Sequence, residues 1–189
     1  MSDVTKNALV RGASGDFNKQ FVYRTRGNKT TMAKMPTYGK DRVTTPKQEQ
    51  IRDLFASAAM YAESAMSSVE LQPQYDKKSS KYRSARNIAF RDFLKAPRVI
   101  SIDVENYTGT PDSAIAVTAK DDFRVARVTV SIYTEAGVLV EQGDAVQHPI
   151  NRSKWIYTAT AANTPVAGSR ILAMAFDLPE NRGELEISV

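Results

Sequence analysis

The spacing of apolar residues along the chain changes period near Pro97. Upstream, Ile51, Leu54, Phe55, Ala58, Ala62, Ala65 and Val69 recur at helical intervals. Thr45, Pro46 and Gln48 read as an N-cap, a proline at the first helical position and a capping-box partner, so a helix is predicted over 46–68. Its alanines favour helix and permit close approach of a second element. Leu71-Gln72-Pro73-Gln74 breaks the pattern. Ser80 is the expected cap of a second helix carrying Tyr82, Ala85, Ile88, Ala89 and Phe93, which Pro97 ends. The two helices are expected to pair as an antiparallel hairpin.

Downstream of Pro97 the pattern alternates. Short β-runs are predicted at 99–104, 113–119, 126–134, 138–142, 154–160, 170–176 and 184–189, separated by turns rich in Gly, Pro and Asn. In the third run Val128, Val130 and Ile132 share one face, and Thr129, Ser131 and Tyr133 share the other. That alternation suits a sheet buried on one side. About seven strands at this spacing predict an antiparallel β-sandwich, with Trp155 as a core anchor beside Val128, Val130 and Ile132. A carbohydrate platform is the other use of Trp155 and Tyr157 on one strand.

Before the helices, residues 1–20 are polar and contain Gly12 and Gly15, so they read as a flexible basic arm. Residues 21–35 predict a β-hairpin, Phe21-Val22-Tyr23-Arg24-Thr25 turning at Arg26-Gly27-Asn28-Lys29. A lone hairpin is marginal in water, so this one needs the helices or another sheet edge to pack on. The fold class is therefore α+β. Three parts are expected: the arm over 1–20, a hairpin and helix pair over 21–98, and the sandwich over 99–189.

The runs Ala119-Lys120-Asp121-Asp122-Phe123-Arg124-Val125, Val128-Thr129-Val130, Trp155-Ile156-Tyr157-Thr158-Ala159-Thr160 and Ala173-Met174-Ala175-Phe176-Asp177 give residues 99–189 a resemblance. They resemble the bacterial immunoglobulin-like modules, close to fibronectin type III. The resemblance implies a sandwich used for spacing, display or assembly in surface and virion proteins, of bacterial or phage origin. Leu178-Pro179-Glu180-Asn181 departs from the tighter Gly-Asn turn of such modules. The N-terminal half resembles the front of small bacterial proteins of unassigned function, which implies no mechanism.

Charge sharpens the division. Residues 1–98 carry 19 Lys and Arg against 9 Asp and Glu, a net of +10. Residues 99–189 carry 7 against 12, a net of −5. Opposite poles on one chain attract identical copies head to tail. The 189 residues, 42% hydrophobic and 25% charged, are those of an ordinary globular protein. With no Cys, disulfides, thiolate metal sites and cysteine nucleophiles are excluded. No secretory signal or membrane-span run is visible, so the expected location is the cytoplasm, or the virion or cell exterior by a route the sequence does not display.

Reaction chemistry is absent from the pattern. His148, the single histidine, precedes Pro149 in a polar loop without a ligand partner at recognised spacing, and reads as a surface residue. Gly12-Ala13-Ser14-Gly15 lacks the Lys-Ser/Thr ending of a phosphate loop. Asp121, Asp122, Asp177 and Asn181 fall in loops that can meet at one end of a sandwich, and that oxygen-rich set suits Ca²⁺; turn geometry alone also explains Asp and Asn there. No other cofactor is expected. Lys19, Arg24, Arg26, Lys29, Lys34, Lys40 and Arg42 interleave with Phe21, Tyr23 and Tyr38, a composition able to contact nucleic acid, though no known nucleic-acid module is present.

The leading expectation is a non-enzymatic structural protein that self-assembles into a filament or other homopolymer. Its basic arm and hairpin would dock on the acidic sandwich of the next copy through Phe21, Val22, Tyr23, Arg24, Arg26, Lys29 and Lys34, by strand addition steered by charge. A decoration or adaptor module binding another protein, and a nucleic-acid-binding protein, are the alternatives.

Overall fold

A computed structural model of the chain describes residues 1–37 and 43–189. It is α+β, with three helices and three antiparallel sheets of four strands each.

The first sheet has the order β1-β4-β3-β2, from β1 (Ser2–Asp3), β2 (Gly15–Phe17), β3 (Phe21–Arg26) and β4 (Lys29–Lys34). The expected hairpin forms, with Arg26 opposite Lys29 and Gly27 at a φ of 61° in the two-residue turn. A left-handed φ there favours Gly over any other residue. Residues 1–20 differ from the flexible arm expected of them: β1 pairs with β4 and β2 with β3. Glycine and polar content hid these strands, because they are held by polar contacts. Thr30 is the centre of that network. Its N–H donates to Thr5 Oγ1 (2.9 Å), and its Oγ1 accepts from the Gly12 N–H (3.0 Å) and lies 3.0 Å from Thr25 Oγ1.

Helix α1 (Pro46–Ser67) begins at Thr45 with the predicted capping box to Gln48. Helix α2 (Gln72–Asp76) fills the stretch read as a break, because Pro at the first turn of a helix leaves no hydrogen bond unmade. Helix α3 (Ala85–Phe93) is capped by Ser84, whose Oγ accepts from the Asn87 N–H. Ser80 instead bridges to Arg83, and Tyr82 lies outside the helix, its ring against Gly27. Small residues line the α1–α3 contact: Ala62, Ala65, Ala85 and Ala89 are buried in one cluster with Tyr75.

The eight remaining strands make two sheets. One has the order β5-β6-β10-β9, from β5 (Arg98–Asp103), β6 (Ala114–Lys120), β9 (Val146–Gln147) and β10 (Lys154–Thr158). The other has the order β12-β11-β7-β8, from β7 (Arg127–Tyr133), β8 (Leu139–Asp144), β11 (Arg170–Phe176) and β12 (Arg182–Ser188). They share one core, in which Ile115, Val117, Val128, Val130, Ile132 and Ile171 are fully enclosed and Trp155 and Tyr157 nearly so, a β-sandwich-like arrangement. Val128, Val130, Ile132 and Trp155 thus lie in the core expected of them. Strand β9 is an eighth, two-residue strand beyond the seven predicted. The outer face of β7 is also covered: Thr129 and Ser131 are buried. The register sets Thr129 between Met174 of β11 and Asp144 of β8, and Ser131 between Leu172 and Gln142.

The helices do not pack as a separate unit. Phe123, between β6 and β7, joins the helical cluster with its ring 4.5 Å from that of Tyr75, and Leu178 packs there too. Pro97, fully buried, leads directly into β5. Phe123 and Leu178 thus join the helical cluster from beyond the boundary expected at 98/99.

Candidate functional site

Two features stand out: a group of buried carboxylates where α3 meets the sandwich-like unit, and a basic N-terminal sheet with almost nothing buried beneath it.

The carboxylates are Asp92, Asp121 and Asp177, which each offer an oxygen within 4.8 Å of the others. Each is oriented from outside the group. Asp92 lies on the buried stripe of α3 with Ala85 and Ala89, and its Oδ2 accepts from the Tyr75 hydroxyl (2.7 Å), itself 2.8 Å from the Tyr61 hydroxyl. Asp121 follows β6, and its Oδ2 accepts from the N–H groups of Phe123 and Arg124, both at 2.8 Å. Asp177 follows β11, and its two oxygens accept from the Asn181 N–H (2.7 Å) and side-chain Nδ2 (2.8 Å). The same Nδ2 donates to the carbonyls of Phe93 (3.1 Å) and Asp92 (3.3 Å) at the end of α3. The loop Leu178-Pro179-Glu180-Asn181 is thus the loop that seats α3.

Burial governs the electrostatics. Asp92 is 2% exposed and Asp177 fully enclosed. Loss of hydration pushes the Asp92 carboxyl up to about 7; Asp121 and Asp177 add to the rise and the Tyr75 hydrogen bond opposes it. Burial likewise pushes Asp177 up to about 6, against the hydrogen bonds from Asn181. Desolvation also raises the Tyr75 and Tyr61 hydroxyls. Asp92 Oδ1 and Asp121 Oδ1 are buried without a hydrogen-bond partner.

Of the four predicted cation ligands, three come together: Asp121, Asp177 and Asn181. Asn181 contributes its amide N–H groups, which serve as donors to a carboxylate and to helix carbonyls. Asp122 points elsewhere, accepting from Lys95 Nζ (2.6 Å) and Arg91 (2.7 Å), and Lys95 first and then Arg91 hold its carboxyl low. Asp92 joins Asp121 and Asp177 and is not among the predicted ligands. Its helical phase carried the signal: a carboxylate in step with Ala85 and Ala89 is aimed at the core.

The assembly residues lie where the hairpin puts them. Val22 and Tyr23 are half-buried, Phe21 is 37% exposed, and Arg24, Arg26 and Lys34 are exposed on β3 and β4. Lys29 pairs with Asp3 at 3.3 Å. Tyr38, Lys40 and Arg42 lie outside the described residues. Thr30 is the only buried residue among 1–37, while Leu9 and Phe17 stand exposed. On α1, Ile51, Leu54 and Phe55 form an apolar stripe about half exposed. His148 is a loop staple: its Nδ1 accepts from the N–H groups of Ile150 and Asn151. No helix among the described residues is long and apolar enough to cross a membrane.

No family model matches the chain, and no curated protein does. Among solved structures, CopC from Methylosinus trichosporium OB3b is 12% identical over 48% of this chain and 87% of its own, with a TM-score of 0.36. A tetra-tandem repeat from the extending region of a large adhesion protein is 19% identical over 49% of this chain and 23% of its own, also at 0.36. The catalytic module of the glycogen-degrading pneumococcal virulence factor SpuA is 14% identical over 43% and 11%, at 0.30. The first two are β-rich, and at these TM-scores the likeness decides nothing about ligand, partner or activity.

Proposed function

We propose that this chain is a non-enzymatic structural subunit that associates with copies of itself, its N-terminal sheet docking on the C-terminal unit of a neighbour. The observation that carries this reading is the N-terminal sheet itself. Four strands with one buried residue, Thr30, lack the apolar face that a small sheet needs to persist in water. Burial against another surface supplies what is missing, and the half-exposed stripe of Ile51, Leu54 and Phe55 adds area of the same kind.

Charge selects a second copy as the occupant. The N-terminal half, at +10, complements a C-terminal half at −5. The acceptor is the β8 margin. Strand β8 is an outer strand of its sheet, and beside it Val138 is 63% and Val146 73% exposed, with Glu135 and Asp144 also at the surface. An unpaired strand edge with apolar and acidic neighbours can receive a basic strand through main-chain hydrogen bonds. The C-terminal unit is read as an immunoglobulin-like module. Support comes from its strand order: β5-β6-β10-β9 facing β12-β11-β7-β8 corresponds to A-B-E-D facing G-F-C plus one added strand.

Sedimentation velocity of the full chain at low and high salt tests the proposal. Large species that shrink as salt rises, and that the double substitution Arg24→Glu with Arg26→Glu abolishes, are expected. A monomer at every concentration and salt refutes it. If that monomer instead binds single-stranded nucleic acid with a steep salt slope, the basic sheet serves phosphates.

A further inference from the structure

We propose that Asp92, Asp121 and Asp177 bind a Ca²⁺ ion that ties helix α3 to the sandwich-like unit. The inference is independent of self-assembly and rests on the carboxylate geometry alone.

Three carboxylates from a helix, a strand end and a turn converge in a space largely closed to solvent. Among the described residues none of the three has a salt-bridge partner. The neighbouring cations are otherwise engaged: Arg91 and Lys95 on Asp122, and Lys78 on the Phe123 carbonyl and ring. An uncompensated buried carboxylate is costly, and three together more so.

The second observation concerns which oxygens are left over. Asp92, nine-tenths buried and more, keeps Oδ1 without a partner, although its Oδ2 is held by Tyr75. Asp121 repeats the arrangement, Oδ2 held by two backbone N–H groups and Oδ1 unpartnered. Asn181 fixes the Asp177 carboxyl from behind. A carboxylate steered by outer hydrogen bonds, with one oxygen kept free, is how proteins present ligands to a metal. An all-oxygen, anionic set selects a hard ion, and ligands drawn from a helix, a strand end and a turn suit the adaptable coordination of Ca²⁺ better than the strict octahedron of Mg²⁺. A groove of about 270 Å³, lined in part by Arg83, Asn87, Ile88, Arg91 and Asp122, reaches Asp92.

The test is thermal unfolding of the full chain, stripped with chelator and then given CaCl₂ or MgCl₂ alone. At a Ca²⁺ concentration of about one hundred times the Kd, the melting temperature is expected to rise by about 5–10 °C. Asp121→Asn, whose remaining oxygen still accepts from the Phe123 and Arg124 N–H groups, is expected to fold and to lose the rise. Asp122→Asn is expected to keep it. No rise with Ca²⁺ overturns the proposal and leaves shared protons as the way the carboxylates are neutralised. A response to MgCl₂ alone, or a full Ca²⁺ response in Asp121→Asn, overturns it too.

Discussion

Replacing Asp92 by Asn isolates the cost of burying a charge in this protein. In chelator, with no cation to offset it, the Asp92 carboxyl moves from an ordinary 3.8 up to about 7. At roughly 1.4 kcal/mol per unit, keeping it ionised in the folded state costs on the order of 4 kcal/mol relative to the unfolded chain. The sign follows from proton binding. Between these two values the folded protein holds a proton that the unfolded chain releases, so stability falls as pH rises from about 4 through about 7, and levels off above. Asp177, at about 6, slopes the same way; the two groups share neighbours, so their contributions do not add. The Asn side chain keeps the shape, can still accept from Tyr75 and can donate to the unpartnered Asp121 Oδ1. Asp92→Asn is therefore expected to be more stable than the parent by roughly 1–4 kcal/mol near pH 8, and about equal to it near pH 4. Urea unfolding in chelator at both values, followed by circular dichroism, measures this. A variant that loses as much stability near pH 8 as near pH 4 would show that folding does not shift the carboxyl, and one that loses more near pH 8 would show that it stabilises as a charge; either result refutes the reasoning about its burial.

Other expectations rest on packing. A Cβ at Gly183 would overlap the Pro97 carbonyl oxygen, backbone that cannot swing aside, so Gly183→Ala is expected to lower stability by about 1–3 kcal/mol, read from its urea midpoint. Ile132→Ala, at the fully buried centre of the shared core, is expected to cost about 2–5 kcal/mol in the same measurement; a smaller loss would mean the two sheets do not pack there.

Much of the fold is legible in local pattern. Thr45, Pro46 and Gln48 mark the start of α1 because capping is chemistry among neighbours in sequence, and the 3.6 and 2.0 periods on either side of Pro97 separate helices from strands. The half-and-half charge division, the absence of cysteine chemistry and the Gly27 turn are likewise legible in the sequence. What escaped depends on partners distant along the chain. Residues 1–20 gain strands only because β3 and β4 offer edges and Thr30 offers hydrogen bonds. The inclusion of Phe123 in the helical cluster needs α2 to bring Tyr75 beside it. Composition could suggest that Asp121 and Asp177 meet, yet it could not separate them from Asp122, one residue away, whose partners Arg91 and Lys95 draw it outward. Asp92 joins them across an 85-residue gap to Asp177 because α3 packs against that end of the sandwich-like unit. Sequence determines which residues carry charge and which local periods they follow; only the tertiary structure decides which of those charges lose their water together, since desolvation belongs to the packed neighbourhood and not to the residue.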